Sequence, residues 1–226
     1  MLARELGSAA FSRVDAAALR KLERLDELVV KWSRVVGLTG FSSDAARVRR
    51  YFAEPLAVAA RLPGQGAALD VGSGGGSPVL PFAIARAQVS WTLVESNERK
   101  AMFLEEAIRE LSLDARVSRS RYEAAAPQSV DVVTLRGVRV SRPMQEGILA
   151  ALRPGGRFLW FSAEEHLRKA AAQERLWDGL SISGPSCLLP AREHSIPSGW
   201  VLVVEKRAAE DDGAEGAEGA EGECFT

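Results

Sequence analysis

The stretch Asp70-Val71-Gly72-Ser73-Gly74-Gly75-Gly76-Ser77 decides the fold. It follows a short apolar strand signal over 67–71 and precedes a helix signal that Pro78 opens and that runs to about Arg86. Proline is tolerated in a first helical turn, where its missing N–H has no partner to lose. Glycines let the backbone turn tightly and approach a ligand without Cβ collisions. Between a strand and a helix, such a loop marks the carboxyl edge of an open α/β sheet, where ligands sit.

Outward from the loop, strand and helix signals alternate. Strands are predicted over 89–95, 115–118, 130–135 and 157–161, and helices over 97–111, 141–152 and 163–177. Two final strands, 180–189 and 200–206, have no room for a helix between them, so they should pair antiparallel. Before the loop, Leu19, Leu22, Leu25, Val29, Trp32 and Val36 recur at helical spacing over 14–36, and Gly37 and Gly40 end that helix. Asp44 can cap a second helix to about Leu62, with Val48, Phe52, Leu56 and Ala59 on one face. Alternating strands and helices predict a doubly wound, mostly parallel sheet. The terminal antiparallel pair points to the Rossmann-like fold of class I S-adenosylmethionine (SAM) methyltransferases rather than to a nicotinamide-binding domain.

The loop chemistry agrees. A dinucleotide fingerprint, G-x-G-x-x-G, needs glycine where Ser77 stands, and Asp70 would repel a pyrophosphate. SAM carries no phosphate and has a sulfonium and an ammonium, which an acidic residue before the glycines suits. Glu95, ending the second strand, can accept from two ribose hydroxyls with either cofactor. The remaining alternative is a tight turn in a non-binding α/β protein.

Composition removes other classes. The chain has 226 residues, 46% hydrophobic and 26% charged, the balance of a globular protein with a proper core. The longest apolar run, 79–85, is far short of a membrane span, and the N-terminus has no apolar signal core. Two cysteines, Cys187 and Cys224, and two histidines, His166 and His194, support neither a disulfide framework nor a metal site. These features predict a cytoplasmic protein. Residues 208–226 hold seven acidic and no basic side chains, leaving 1–207 with 29 basic against 23 acidic, a charge of +6. A basic body is compatible with a polyanionic partner. The GAEGAEGAEGE run has almost nothing to bury and is expected to be disordered. The organisation is therefore read as a helical extension over 1–62, a methyltransferase domain over 63–207 and an acidic tail over 208–226.

Methyl transfer needs a nucleophile in line with the methyl group. The Asn/Asp-Pro-Pro-aromatic motif of exocyclic-amine methylation is absent, since the fourth strand ends Thr134-Leu135-Arg136-Gly137. Cys187, on a late strand, is read as a packing residue rather than a nucleophile. Guanine N7 has a lone pair and no proton to lose, so its methylation needs positioning rather than a base. Arg119, Arg121, Arg136, Arg139 and Arg142 fall on adjacent loops at the expected ligand edge, and Lys100 can reach the same rim. A guanidinium there can pair with phosphate, with the SAM carboxylate or with guanine. The five tryptophans sit mainly on periodic segments and are read as core.

These residues together resemble the bacterial 16S rRNA guanine-N7 methyltransferases, historically called glucose-inhibited division protein B. The likeness spans about Leu25 to Arg207. It is carried by Trp32-Ser33-Arg34-Val35-Val36-Gly37-Leu38-Thr39, the glycine loop through Pro78, Glu95-Ser96-Asn97-Glu98-Arg99-Lys100, Ser120-Arg121-Tyr122-Glu123 and Pro154-Gly155-Gly156-Arg157. The resemblance implies a SAM-dependent enzyme acting in the 530-loop region of 16S rRNA, on free rRNA or a small-subunit precursor, as a monomer without membrane association. It implies that Asp70, Gly72, Gly74, Ser77, Glu95, Tyr122, Glu123 and Arg136 bind the cofactor. Arg136 is the implied catalytic residue, and Lys100, Arg121 and Arg139 are implied RNA contacts. The chain departs from the family pattern at Gly37, Tyr51, Glu54, Ser77 and Ser162, where asparagine, histidine, aspartate, a bulky residue and a basic residue are usual. The departures at Tyr51 and Ser162 motivate one alternative, an RNA-binding protein with an inactive methyltransferase fold.

Overall fold

A computed structural model describes residues 14–38, 40–122, 129–173, 177, 180–189 and 199–207. Helix α1 (Ala16–Val36) starts where the Asp15 side chain accepts from the Ala18 N–H at 2.7 Å, and it stops at Gly37, whose φ of 61° is left-handed. Its stripe buries Leu22, Leu25, Leu28 and Val29, while Trp32 meets Phe103 at 5.9 Å between ring centroids.

Helix α2 is not the uniform helix expected. It opens as an α-helix over Asp44–Arg47, becomes π-helical over Val48–Ala53, returns to α over Glu54–Val58 and tightens to 3-10 over Ala59–Arg61. Ser43, not Asp44, is the cap, accepting from the Ala46 N–H at 3.2 Å. Serine's short hydroxyl reaches that N–H, and Asp44 instead enters the first turn, where a carboxylate is favoured by the helix dipole.

The strands are β1 (Gly66–Val71), β2 (Val89–Val94), β3 (Ala115–Ser118), β4 (Val130–Arg136), β5 (Leu152–Ser162), β6 (Leu180–Cys187) and β7 (Trp200–Lys206). Between them lie α3 (Val79–Ala85), α4 (Glu98–Leu111), α5 (Arg142–Ala151) and α6 (Glu164–Ala171). The sheet order is β3-β2-β1-β4-β5-β7-β6, with β7 antiparallel to both neighbours and all other pairs parallel. The predicted doubly wound sheet and its terminal antiparallel pair are both present.

Alternate strand residues feed two cores. Ala68, Trp91, Leu93, Val132, Leu159 and Phe161 join α1 to α4 on one face. Leu69, Val71, Val133, Leu135, Phe158 and Trp160 meet α5 and α6 on the other. The two N-terminal helices therefore share one hydrophobic core with the sheet.

Three local expectations change. Pro154-Gly155-Gly156 lies inside β5, because the pairing with β4 shifts register between Val130 and Val132 and absorbs the extra residues. The helix expected over 163–177 ends at Ala171. Cys187 is exposed rather than packed, at the last position of the edge strand β6, and its thiol donates to the Leu189 carbonyl at 3.3 Å. Trp91, Trp160 and Trp177 are buried, as read from the sequence. The acidic tail, Cys224, His194 and Glu123 lie outside the described residues.

Candidate active site

The parallel register of β1 and β4 sets Asp70 beside Thr134. The Thr134 hydroxyl donates to the Asp70 carboxylate, which is buried. Burial pushes the Asp70 pKa up to about 6 against the hydroxyls of Thr134 and Ser73, and Glu95 adds to the rise. A buried carboxylate in this state is poised to gain from a nearby cation.

The glycine loop is tied to the end of β2. The N–H groups of Gly72 and Ser73 donate to the Val94 carbonyl at 2.9 and 3.0 Å. Gly72 has φ +69°, and a Cβ there would come within 2.4 Å of Val138 Cγ2. Glu95 accepts from the Gly74 N–H through Oε2 and from the Asn97 N–H through Oε1, each at 2.7 Å. Each carboxylate oxygen keeps lone-pair capacity for a further donor. A cavity of about 450 Å³ covers this edge, lined by Gly72, Gly74, Glu95, Lys100, Arg121, Tyr122 and Arg136. The Tyr122 ring reaches this wall because α5 carries Gly147, where a Cβ would lie 3.1 Å from the Tyr122 hydroxyl.

The π-helical part of α2 clamps the other side of the loop. Tyr51 donates its hydroxyl to the Gly75 carbonyl at 2.7 Å, and Ser77 Oγ donates to the Tyr51 carbonyl at 3.1 Å. Arg136, at the end of β4, donates through Nη1 to the Arg50 carbonyl at 2.7 Å and to Ser77 Oγ at 3.3 Å. Its Nη2 donates to Glu54 Oε2 at 2.6 Å. Glu54 is fully buried, and its Oε1 accepts from the Gly199 N–H at 2.8 Å. Burial pulls the Arg136 guanidinium below its ordinary value, while Glu54 holds it up and Arg50 adds to the fall. Arg136 also lies 5.8 Å from the Phe161 ring centroid. π-Helical turns recur at functional sites, and here α2 brings the Arg50 carbonyl and the buried Glu54 carboxylate to one arginine.

Two further cavities meet at that arginine. One of about 280 Å³ is lined by Phe41, Arg50, Tyr51, Gly75, Ser77 and Arg136. The other, of about 220 Å³, is lined by Arg50, Glu54, Arg136, Phe161, Ser162 and Trp200 among others.

The sequence profile of the family described as rRNA small subunit methyltransferase G matches residues 18–187. The chain belongs to that family. Ribosomal RNA small subunit methyltransferase G of Xanthomonas axonopodis pv. citri is 40% identical over 152 residues, covering 65% of this chain and 69% of that protein. The protein of that name from Neisseria meningitidis serogroup B is 34% identical over 131 residues, covering 58% and 63%. Among solved structures, a methyltransferase from Pyrococcus furiosus aligns with a TM-score of 0.56 at 14% identity, over 83% of this chain and 98% of that one. A precorrin-6y C5,15-methyltransferase from Geobacter metallireducens aligns at 0.53 and 15%, over 69% and 88%. These structures show the class I methyltransferase fold, and family membership makes this member of the methyltransferase G family an enzyme.

In this family member, Gly72, Gly74, Glu95, Tyr122 and Arg136 converge on the largest of the three cavities, with Asp70 buried at the end of β1. Ser77 stands apart, since its hydroxyl joins Tyr51 and Arg136 beside the second cavity. Lys100 and Arg121 line the large cavity, and Arg139 is exposed just after β4. Arg119 and Arg142 are held on the surface by Glu105 and Glu146. The ion-pair partner of Arg136 is Glu54. That pairing had no sequence signal beyond the departures noted at Tyr51 and Glu54. Arg50, Val138, Gly147 and Gly199 escaped the sequence reading altogether. Among the described residues no cluster could hold a metal ion, and no helix is long and apolar enough to cross a membrane.

Proposed function

We propose that this chain uses SAM to methylate N7 of a guanine in the 530-loop region of 16S rRNA. The observation that carries this reading is the placement of Arg136, whose fork is fixed by Glu54 and Arg50 where the loop cavity meets two cavities on its other side.

The residues of the large cavity suit SAM. Gly72 leaves a path that any side chain would close against Val138. Glu95 offers a carboxylate already oriented by two backbone N–H groups. Asp70 supplies buried negative charge for a cationic ligand. Tyr122 and Met144 give an apolar wall for a purine, and Glu123 is expected beside it. When bound, SAM supplies an electrophilic methyl group. The protein's part is then to orient the base, exclude water and leave N7 open. Three of the five Arg136 N–H groups are engaged inside the protein, and the others are available to an acceptor such as guanine O6 or the cofactor carboxylate. No proton has to be removed, so positioning supplies the catalysis. Lys100, Arg121 and Arg139 contact RNA in this reading, and the enzyme works as a cytoplasmic monomer on rRNA or a subunit precursor.

Mapping methylated guanines in rRNA from a deletion strain and its complemented partner tests the proposal. N7-methylguanosine should be present only with the gene. Calorimetry should show SAM binding, and its failure at millimolar concentration would defeat the reading.

A further inference from the structure

The rim of the site separates two kinds of arginine. Arg119 and Arg142 pair with Glu105 and Glu146, and away from the site Arg153 and Arg157 pair with Asp131 and Glu205. Arg50 has no carboxylate partner among the described residues, although buried Glu54 is one helical turn along the same helix. Glu54 is already bound to Arg136 and to the Gly199 N–H. The charge of Arg50 is therefore uncompensated, and it lowers the Arg136 pKa.

The position of Arg50 is also fixed. Its carbonyl accepts from Arg136 Nη1 at 2.7 Å, so the main chain beneath the exposed side chain is held to the end of β4. It borders both smaller cavities, which open on either side of Arg136 and offer Phe41, Phe161 and Trp200 as aromatic walls. The large cavity holds Glu95, whereas the described residues lining the 280 Å³ cavity include two arginines and no carboxylate. An exposed guanidinium on an anchored main chain, with no carboxylate partner among the described residues and an aromatic wall beside it, has the chemistry of a nucleotide subsite, with cation for phosphate and ring for base.

We propose that Arg50 binds an RNA backbone phosphate next to the target nucleotide, which enters on the Phe41–Arg50 side of the glycine loop. This rests on the reading of the chain as an rRNA methyltransferase. Arg136 is engaged within the protein and sets geometry, while Arg50 supplies the grip on RNA.

The test compares wild type, Arg50→Ala and Arg50→Lys. Three measurements are made on each: binding of 16S rRNA from a deletion strain at several salt concentrations, steady-state methyl transfer, and SAM affinity by calorimetry. Arg50→Ala should weaken RNA binding by about tenfold, with the kinetic loss falling on KM for RNA. It should reduce the slope of log affinity against log salt by roughly 0.7 to 0.9, the value of one phosphate contact. SAM affinity should stay at the wild-type value. Arg50→Lys should recover most of the binding, since a phosphate accepts a point charge. An Arg50→Ala protein with wild-type RNA affinity and salt slope overturns the proposal, as does a loss confined to SAM binding. The RNA-binding readout does not need turnover. A wild type that binds RNA through Arg50 and makes no N7-methylguanosine would remove the proposed reaction and leave this contact standing.

Discussion

Glu54 Oε2 accepts from Arg136 Nη2 at 2.6 Å across 82 residues of sequence, in a pair whose glutamate is fully buried. The contact joins the N-terminal helices to the end of β4. Removing one partner of a buried pair leaves the other uncompensated, which typically costs about 3–5 kcal/mol. The pair is therefore both structural and part of the site, and mutations at its two ends should separate those roles. Arg136→Lys keeps the charge and loses the fork, so it can no longer reach Glu54, Ser77 and the Arg50 carbonyl together. The variant should fold and lose at least about tenfold in methylation, equivalent to ~1.4 kcal/mol. Wild-type turnover in the folded variant would show that the fork is not used.

Glu54→Gln keeps an acceptor for the Gly199 N–H and turns an amide N–H₂ toward Arg136. We expect a lower melting temperature and slower methyl transfer, with SAM affinity within a few-fold of wild type, because Glu54 does not line the large cavity. SAM binding lost in step with turnover would contradict this separation.

Gly72→Ala places a methyl group 2.4 Å from Val138 Cγ2 at a φ of +69°. Both the clash and the left-handed backbone disfavour it, the latter by roughly 1 kcal/mol. SAM affinity should fall more than tenfold. Adding Val138→Ala should restore part of that loss by making room, while the backbone strain stays. A double variant no better than Gly72→Ala would show that the contact with Val138 does not limit binding.

Asp70 has its pKa raised to about 6 by burial, with Glu95 adding to the rise. The sign for ligand binding follows from charge. A cation binds the carboxylate form, so SAM affinity should drop as pH falls through about 6. The sign for stability is opposite. The contribution of Asp70 is fully present below its ordinary value of 3.8 and is lost as pH rises through about 6. Asp70→Asn should therefore raise the melting temperature at pH 8 while weakening SAM and flattening its pH dependence. A variant with an unchanged pH profile for SAM binding would assign the titration to another group.

Tyr51→Phe removes the hydroxyl that donates to the Gly75 carbonyl at 2.7 Å. Losing such a bond costs about 1 kcal/mol, or roughly 2–4 °C in melting temperature for a chain of this size. The glycine loop loses one of its two ties to α2 and keeps the bond from Ser77 Oγ to the Tyr51 carbonyl, so SAM binding should weaken as well. Thermal unfolding and calorimetry on one preparation read both effects.

The legible parts of the site were those encoded within a few residues of one another. Asp70 through Gly74 and Glu95 announce themselves because a strand must end before the loop and the ligand must meet backbone. The arginine rim was legible as a set but not in its division. Nothing local distinguishes Arg119, paired across α4 with Glu105, from Arg121, which lines the cavity. The π-helical turn was hidden for a similar reason. Val48, Phe52, Leu56 and Ala59 satisfy a helical period whether or not one turn is widened.

By itself the sequence determined the element order, the doubly wound sheet with its antiparallel end, the glycine loop and the acidic residues that flank it. Those follow from apolar periodicity and from the backbone freedom of glycine, both of which act over short stretches of chain. Only the tertiary structure decided that Arg136 meets Glu54 and the Arg50 carbonyl, that Ser77 turns to Tyr51, and that Arg50 lies between two cavities with no carboxylate partner among the described residues. These relationships depend on how α2 docks against the ends of β1 and β4. A buried charge takes whichever opposite charge the packing brings within reach, and sequence distance does not enter that choice.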